Sequence, residues 1–271
     1  MRLHFLERTI DGLHAGLALA LDAENSAAAG GLLQQLDARV KVAGLFSLIL
    51  AAALATRLWV IAAVFALAVA LAALSRVSFR VLATRVWIGA LAFTGAIALP
   101  AVFLTPGVAL YRLPALHWPI TAQGLTTAGF LLLRVETAAT LALLLVFTTP
   151  WMHVLKALRV LRVPVLLVAI LGMASRYILL LLETAHEMFE SRKSRTVGPL
   201  AGAARRHVAV ASSGVLLSRS LQLSGDVYLA MQARGFRGDV YLLDDFAMTR
   251  FDWLALAAFL ALAAAAVWAD R

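Results

Sequence analysis

Long apolar stretches separated by short polar segments dominate the pattern of residues along this chain. We predict five helical spans, at residues 42–55, 58–74, 86–104, 125–149 and 253–268. The first and last are short against the roughly 20 residues that cross a bilayer as a helix. No stretch alternates every second residue, as a barrel strand would. The pattern predicts an all-α membrane protein with about five transmembrane helices. Because Arg57 separates the first two spans without Gly or Pro, one long tilted helix is the alternative there.

Before the first span, apolar residues recur every three or four positions, which predicts an amphipathic helix. These residues are Leu6, Ile10, Leu13, Leu17 and Leu21. The segment 1–41 either lies on the membrane surface or packs on the protein's own cytoplasmic helices. The N-terminus lacks the apolar core of a signal peptide, so we expect no cleavage.

Basic residues in the loops predict the orientation of the spans. Two precede the first span and three lie between the second and third, whereas the loop 105–123 holds one. In that order they are Arg39 and Lys41, then Arg76, Arg80 and Arg85, then Arg112. Because Lys and Arg accumulate in cytoplasmic loops, the N-terminus is predicted to be cytoplasmic. The loop 105–123 is rich in Pro and predicted to be an outside turn.

The segment 150–250 departs from the spans on either side of it. Its apolar stretch 164–182 is long enough to cross, yet basic clusters flank it on both sides. A single crossing would leave one cluster outside, so we predict a hydrophobic helix that does not cross and is covered by protein or by the inner leaflet. Further along, five residues share one helix face: Leu217, Leu221, Ser224, Tyr228 and Met231. This helix is predicted to end at Gly235, a residue suited to the left-handed conformation.

Composition excludes several classes of function. Hydrophobic residues make up 62% of the chain, and Cys is absent, so thiolate chemistry is excluded. No Gly-x-x-x-x-Gly-Lys pattern occurs, so the chain is not expected to bind ATP through a P-loop. The pair Glu183 and His186 has the spacing of metal ligands but no matching second copy, and we interpret it as a polar helix face. We therefore expect no catalytic residue, metal site or cofactor in this chain. The net charge of +9 reflects membrane topology, so no nucleic-acid partner is expected.

Two charged residues lie inside the fourth predicted span. Arg134 and Glu136 are costly there unless paired or hydrated. They are either part of a proton or substrate relay, or a structural pair with neighbouring helices, or interfacial because the span boundary is misplaced.

Several segments resemble the transmembrane T component of energy-coupling factor (ECF) transporters, which are ABC importers. The run Leu221–Gly238 is similar to the signature of that family, and its part Ala230–Phe236 most resembles the CbiQ type of cobalt uptake systems. Three further segments agree, Leu36–Lys41, Thr149–Arg159 and Ser175–Glu183. The resemblance covers nearly the whole chain.

The resemblance implies the ECF T-component fold. An N-terminal segment (1–41) and four spans (42–149) are followed by a cytoplasmic module of long coupling helices (150–250) and a final span (251–271). Two Ala-Arg-Gly-like motifs are implied to dock onto two ATPase subunits. They are Ala233, Arg234 and Gly235, and Ser194, Arg195 and Thr196. Ser194 and Thr196 depart from the family pattern, so Arg192 is a rival first docking arginine. Met231 and Phe236 are implied as further contacts.

The implied function is that of a non-catalytic scaffold in the bilayer of a bacterial inner membrane. CbiO-like ATPases would bind ATP and Mg, and a CbiM-like subunit, with or without a CbiN-like one, would capture cobalt for cobalamin biosynthesis. Nickel is the near alternative as substrate. A secondary transporter acting alone would need inverted repeats and polar groups at the midplane. An intramembrane enzyme would need a nucleophile and base, or a metal set, inside the spans.

Overall fold

The computed structural model describes residues 9–12, 15, 30–106, 109–112, 119–196, 202–236 and 248–271. Contacts divide the chain into two compact units. The long-helix unit comprises Met1–Ala23 and Leu158–Asp245, and the span unit comprises Glu24–Ala157 and Phe246–Arg271. The chain therefore leaves the span unit after Ala157 and returns to it at Phe246.

Helices form nearly all of the regular structure in the described residues. In chain order the elements are α1 (Ala38–Leu54), α2 (Leu58–Leu74), α3 (Phe79–Leu82), a π-helical segment (Ala83–Trp87), α4 (Ile88–Leu104), β1 (Ala109–Arg112), β2 (Pro119–Thr121), α5 (Ala122–Thr148), α6 (Trp151–Val160), α7 (Val165–Arg195), α8 (Gly202–Ala233) and α9 (Arg250–Ala269). The predicted all-α membrane class is confirmed. A short antiparallel pair, β1 with β2, occupies part of the loop that we predicted as a turn.

Each predicted span is a helix, with ends set by local caps. The fourth begins three residues earlier than predicted because the Thr121 hydroxyl accepts the N–H of Gly124 at 3.0 Å. The fifth begins at Arg250 because Thr249 and Asp252 form a capping box. Sequence reasoning missed this Thr-x-x-Asp signature.

Length and composition mark three of the described helices as able to cross a membrane. They are Ala122–Thr148, Val165–Arg195 and Arg250–Ala269, and two shorter apolar helices are Leu58–Leu74 and Ile88–Phe103. The second of the three begins one residue into the stretch 164–182, which we predicted not to cross, and contains the rest of it. Because length and composition do not decide topology, that prediction stands as a prediction.

The break between α1 and α2 is formed by a distant residue rather than by Gly or Pro. The Asp270 carboxylate accepts the backbone N–H groups of Thr56 (2.8 Å) and Arg57 (2.7 Å). The Arg57 guanidinium in turn donates to the carbonyls of Ala269 and Arg271, both at 3.2 Å. The backbone N–H groups of the turn therefore have hydrogen-bond partners. The structure shows two helices here, so the alternative of one continuous helix is wrong.

The core of the span unit lies among α1, α2, α5 and α9. Buried apolar side chains from these helices form one cluster, including Leu45, Leu48, Val64, Leu141 and Phe259. α1 and α9 approach closely at Gly44, where a Cβ added to the backbone would lie 2.6 Å from the Phe259 ring. The absence of a side chain at this residue lets the two helices pack together.

The long-helix unit consists mainly of α7 and α8, of 31 and 32 residues. Its small apolar cluster contains Ile10 and Phe189, with Met188 and Val208 packed on it. Within this unit Ile10 thus packs on the protein's own helices, one of the two alternatives for the N-terminal segment. The other apolar residues predicted for that helix, Leu6, Leu13, Leu17 and Leu21, lie outside the described residues.

Candidate functional site

Arg234 lies in a well-formed helix terminus at the end of α8. The N–H of Phe236 donates to the carbonyl of Met231 (3.0 Å), and the N–H of Gly235 donates to that of Gln232 (2.9 Å). Gly235 has φ +79°, so this is a Schellman motif with glycine in the left-handed position. The predicted helix end is confirmed, and it fixes the backbone that carries Arg234.

The surface around this terminus is open. Ala233, Arg234 and Gly235 are exposed, while Met231 and Phe236 are half-buried. The helix face shared by Leu217 and Leu221 is also exposed among the described residues, since these side chains are 62% and 67% exposed. Exposed apolar side chains along one helix face are typical of a surface that contacts another protein or a membrane.

The first motif lies at the end of α7, where two hydroxyl groups bond to their own helix. The Ser194 hydroxyl donates to the carbonyl of Ser191 at 2.8 Å, and the Thr196 hydroxyl donates to that of Arg192 at 2.7 Å. Arg192 is one of the last four residues of the helix, whose carbonyls have no partner within it, so the Thr196 hydroxyl satisfies one of these groups. Ser and Thr here therefore close the helix compactly, although they replace the Ala and Gly of the family pattern.

Both rival arginines line one cavity in the long-helix unit. The cavity has a volume of about 480 Å³ and is lined by Met188, Ser191, Arg192, Arg195, Thr196, Val208 and Val215. Arg195 is exposed, whereas Arg192 is half-buried. The structure thus places the two guanidinium groups at the same opening, with Arg195 the more accessible.

The two arginine motifs lie far apart along α8. The first borders the cavity that contains Val208, near the start of this helix, and the second follows its last residue, Ala233. Val208 and Val215 both line this cavity and lie 25 and 18 residues before Ala233, which correspond to roughly 38 and 27 Å along the helix at about 1.5 Å per residue. A groove that accepts a single helix end could not accept both motifs at once.

Metal-binding geometry is not found in the part of the chain that the structure describes. No group of three or more His, Asp or Glu side chains converges there. His186 Nε2 lies 3.5 Å from Glu190 Oε1, and Glu183 is exposed on the same helix. This arrangement fits the polar helix face that we inferred from the sequence.

Arg134 and Glu136 occupy different environments in α5. The Arg134 guanidinium donates to the carbonyl of Ala55 at 2.7 Å, which is a structural contact with the end of α1. Glu136 is 7% exposed, and its carboxylate oxygens have no hydrogen-bond partner among the described residues. Two residues apart on a helix, the side chains point in nearly opposite directions and do not pair.

The long apolar helices of the described residues define an α-helical membrane protein. The chain belongs to the cobalt transport protein family CbiQ, which it matches over residues 30–242. It is also 32% identical to an uncharacterized protein of Methanocaldococcus jannaschii over 213 residues, which are 78% of this chain and 73% of that protein. The protein is therefore a membrane component of a cobalt transport family.

Proposed function

We propose that this chain is the transmembrane T component of an ECF-type cobalt importer. In this role it couples ATP hydrolysis by CbiO-like partner subunits to cobalt uptake by a separate CbiM-like subunit, with or without a CbiN-like one. ATP and Mg would bind to the partners, and this chain would have no catalytic residue. Membership of the cobalt transport family supports the proposal. The observation that carries it is the exposed Arg234 on a glycine-closed helix end.

The geometry of this helix end suits docking into a groove. A small residue before Arg234 and a glycine after it let the partner's backbone approach closely, while the guanidinium offers five donors in a planar fork. Carboxylates or carbonyls of the partner would accept those donors. Two motifs separated by roughly 27–38 Å along α8 support docking of two ATPase subunits rather than one.

The apolar surface of α7 supports a further membrane or protein contact. Leu166, Ile170, Ile178 and Leu180 are between 44% and 64% exposed within the chain. Because Ile178 and Leu180 point in nearly opposite directions, these apolar side chains are spread around the helix, and a helix that is apolar on several sides is seldom left in water. We propose that the inner leaflet and the capture subunit cover it, with the long-helix unit on the cytoplasmic side of the cell membrane and the spans crossing it several times.

Charge reversal at Arg234 tests the docking role. In cells that express the complete transporter, Arg234→Glu should abolish co-purification of the ATPase subunits and cobalt uptake, while the chain still accumulates in the membrane. Arg219→Glu is the matched control, because Arg219 is exposed on the same helix outside the motif. Unchanged cobalt uptake in Arg234→Glu would contradict the proposal.

The same approach assigns the first docking arginine. We propose Arg195 for this role because it is the more exposed of the two at the cavity. Arg195→Glu should then reduce ATPase binding more than Arg192→Glu does. The reverse order would assign the role to Arg192.

The alternatives are separated by purification and transport. The purified complex, reconstituted in vesicles, should accumulate cobalt only when ATP is supplied. Accumulation of nickel instead of cobalt would favour a nickel importer. Transport by this chain alone, without co-purifying ATPase, would favour a secondary transporter.

A further inference from the structure

The first turn of α1 contains a buried ammonium group. Lys41 is 2% exposed, although lysine is rarely buried without a partner. Its Nζ donates to the carbonyl oxygen of Thr148 at 2.8 Å. Thr148 is the last residue of α5, where the carbonyl lacks a partner in its own helix and the helix dipole favours a cation. Lys41 therefore connects the end of α5 to the start of α1 through a buried hydrogen bond.

A buried carboxylate makes the corresponding contact from α9. Asp252 is 5% exposed, and its Oδ1 accepts the backbone N–H of Asp37 at 2.8 Å. Its Oδ2 accepts the N–H of Thr249 at 2.9 Å and the Thr249 hydroxyl at 2.7 Å. One side chain thus joins the start of α9 to the residue that precedes α1. Asp37 and Asp252 are also the acidic groups whose charges act on Lys41.

These contacts lie where the chain leaves the span unit and where it returns. Thr149 and Pro150 alone separate α5 from α6, and α6 carries the chain out of this unit after Ala157. On the return, Met248, one residue before Thr249, packs on the core of the span unit. A displacement of α6 would therefore be transmitted to the first turn of α1 through Thr148 and Lys41. A displacement of the chain before Thr249 would be transmitted there through Asp252 and Asp37.

We infer that Lys41 and Asp252 are positioning residues that form a joint between α1 and both chain connections of the long-helix unit. Through this joint, a movement of that unit shifts α1, α5 and α9 together. The inference rests on the proposed coupling function and adds which residues pass the movement to the spans. It also gives a physical role to the segment Leu36–Lys41, which contains both Asp37 and Lys41.

If these residues form the joint, their loss should lower cobalt uptake while ATP hydrolysis continues. A purely structural role would not produce this result. Lys41→Met keeps the length of the side chain but removes the ammonium, and Lys41→Arg restores a cation with several donors. In the complete complex in vesicles, Lys41→Met should still bind the ATPases and hydrolyse ATP. Its uptake of cobalt per ATP should fall by about tenfold or more, as expected for loss of one charged hydrogen bond.

Controls make this measurement specific. Lys41→Arg should recover most of the uptake per ATP, and Arg80→Met, which removes an exposed charge from α3, should leave it unchanged. Asp252→Asn should lower the same ratio by weakening the second contact. A wild-type ratio in Lys41→Met would overturn the joint, and so would loss of the folded complex in both Lys41→Met and Asp252→Asn. Absence of ATPases from the wild-type complex would instead overturn the proposed function.

Discussion

The contact between α1 and α9 at Gly44 makes a quantitative prediction about stability. A Cβ at this residue would lie 2.6, 2.7 and 2.9 Å from Cδ2, Cγ and Cβ of Phe259. Ordinary van der Waals contact begins at 3.4 Å. In Gly44→Ala the distance from the new Cβ to the nearest atom of Phe259 would therefore be about 0.8 Å too short. Phe259 is 6% exposed and has little room to move, so the helices must separate.

The expected loss follows from two opposing effects. Overpacking of a core costs about 1–3 kcal/mol, while replacing a helical Gly by Ala returns about 0.5–1 kcal/mol. We expect a net loss of about 1–2 kcal/mol, or a Tm lower by roughly 2–8 °C. Thermal unfolding of the purified protein in detergent measures this shift.

A matched control and a second substitution separate packing from helix propensity. Gly95 in α4 has no atom within 4 Å of the position that a Cβ would take, so Gly95→Ala should keep or raise the Tm. In a double-mutant cycle with Phe259→Ala, the cost of Gly44→Ala should shrink because the two shortest contacts are with the ring. An unchanged or higher Tm for Gly44→Ala alone would refute the proposed close contact.

Three further predictions concern other parts of the chain. Burial alone would raise the pKa of Asp270, but hydrogen bonds from the turn between α1 and α2 hold that pKa below its ordinary value of 3.8. Its stabilising contribution is therefore present above pH 3.8 and lost as pH falls through the lower folded pKa, so the Tm difference between wild type and Asp270→Asn should vanish in acid. Thr249→Ala should lower stability by about 1 kcal/mol in thermal unfolding because the α9 cap is lost, and Thr249→Ser should not. In this chain without cysteine, His153→Cys and Ser191→Cys should react with a membrane-impermeant label from the same side, and labelling from opposite sides would show that α7 crosses the membrane.

Local patterns were sufficient to predict the helices and the end of α8. A run of apolar residues long enough to cross a bilayer forms a helix because its backbone must bond internally there. The end of α8 was equally predictable, because Gly235 adopts a positive φ without steric cost. The hydroxyl bonds of Ser194 and Thr196 were not predicted, since the sequence does not say whether such groups bond to their own helix or to a partner.

The sequence by itself thus determined the all-α membrane class, the helical segments and the arginine at a glycine-closed terminus, because each depends on neighbouring residues. The tertiary structure decided the contacts between segments far apart in the chain. Asp270 bonds to Arg57 across 213 residues, Asp252 to Asp37 across 215 and Lys41 to Thr148 across 107. No local periodicity specifies such pairs, since they depend on which helices pack side by side and at what height. The contacts that form the break between α1 and α2, and those of Lys41, therefore became visible only in the folded chain.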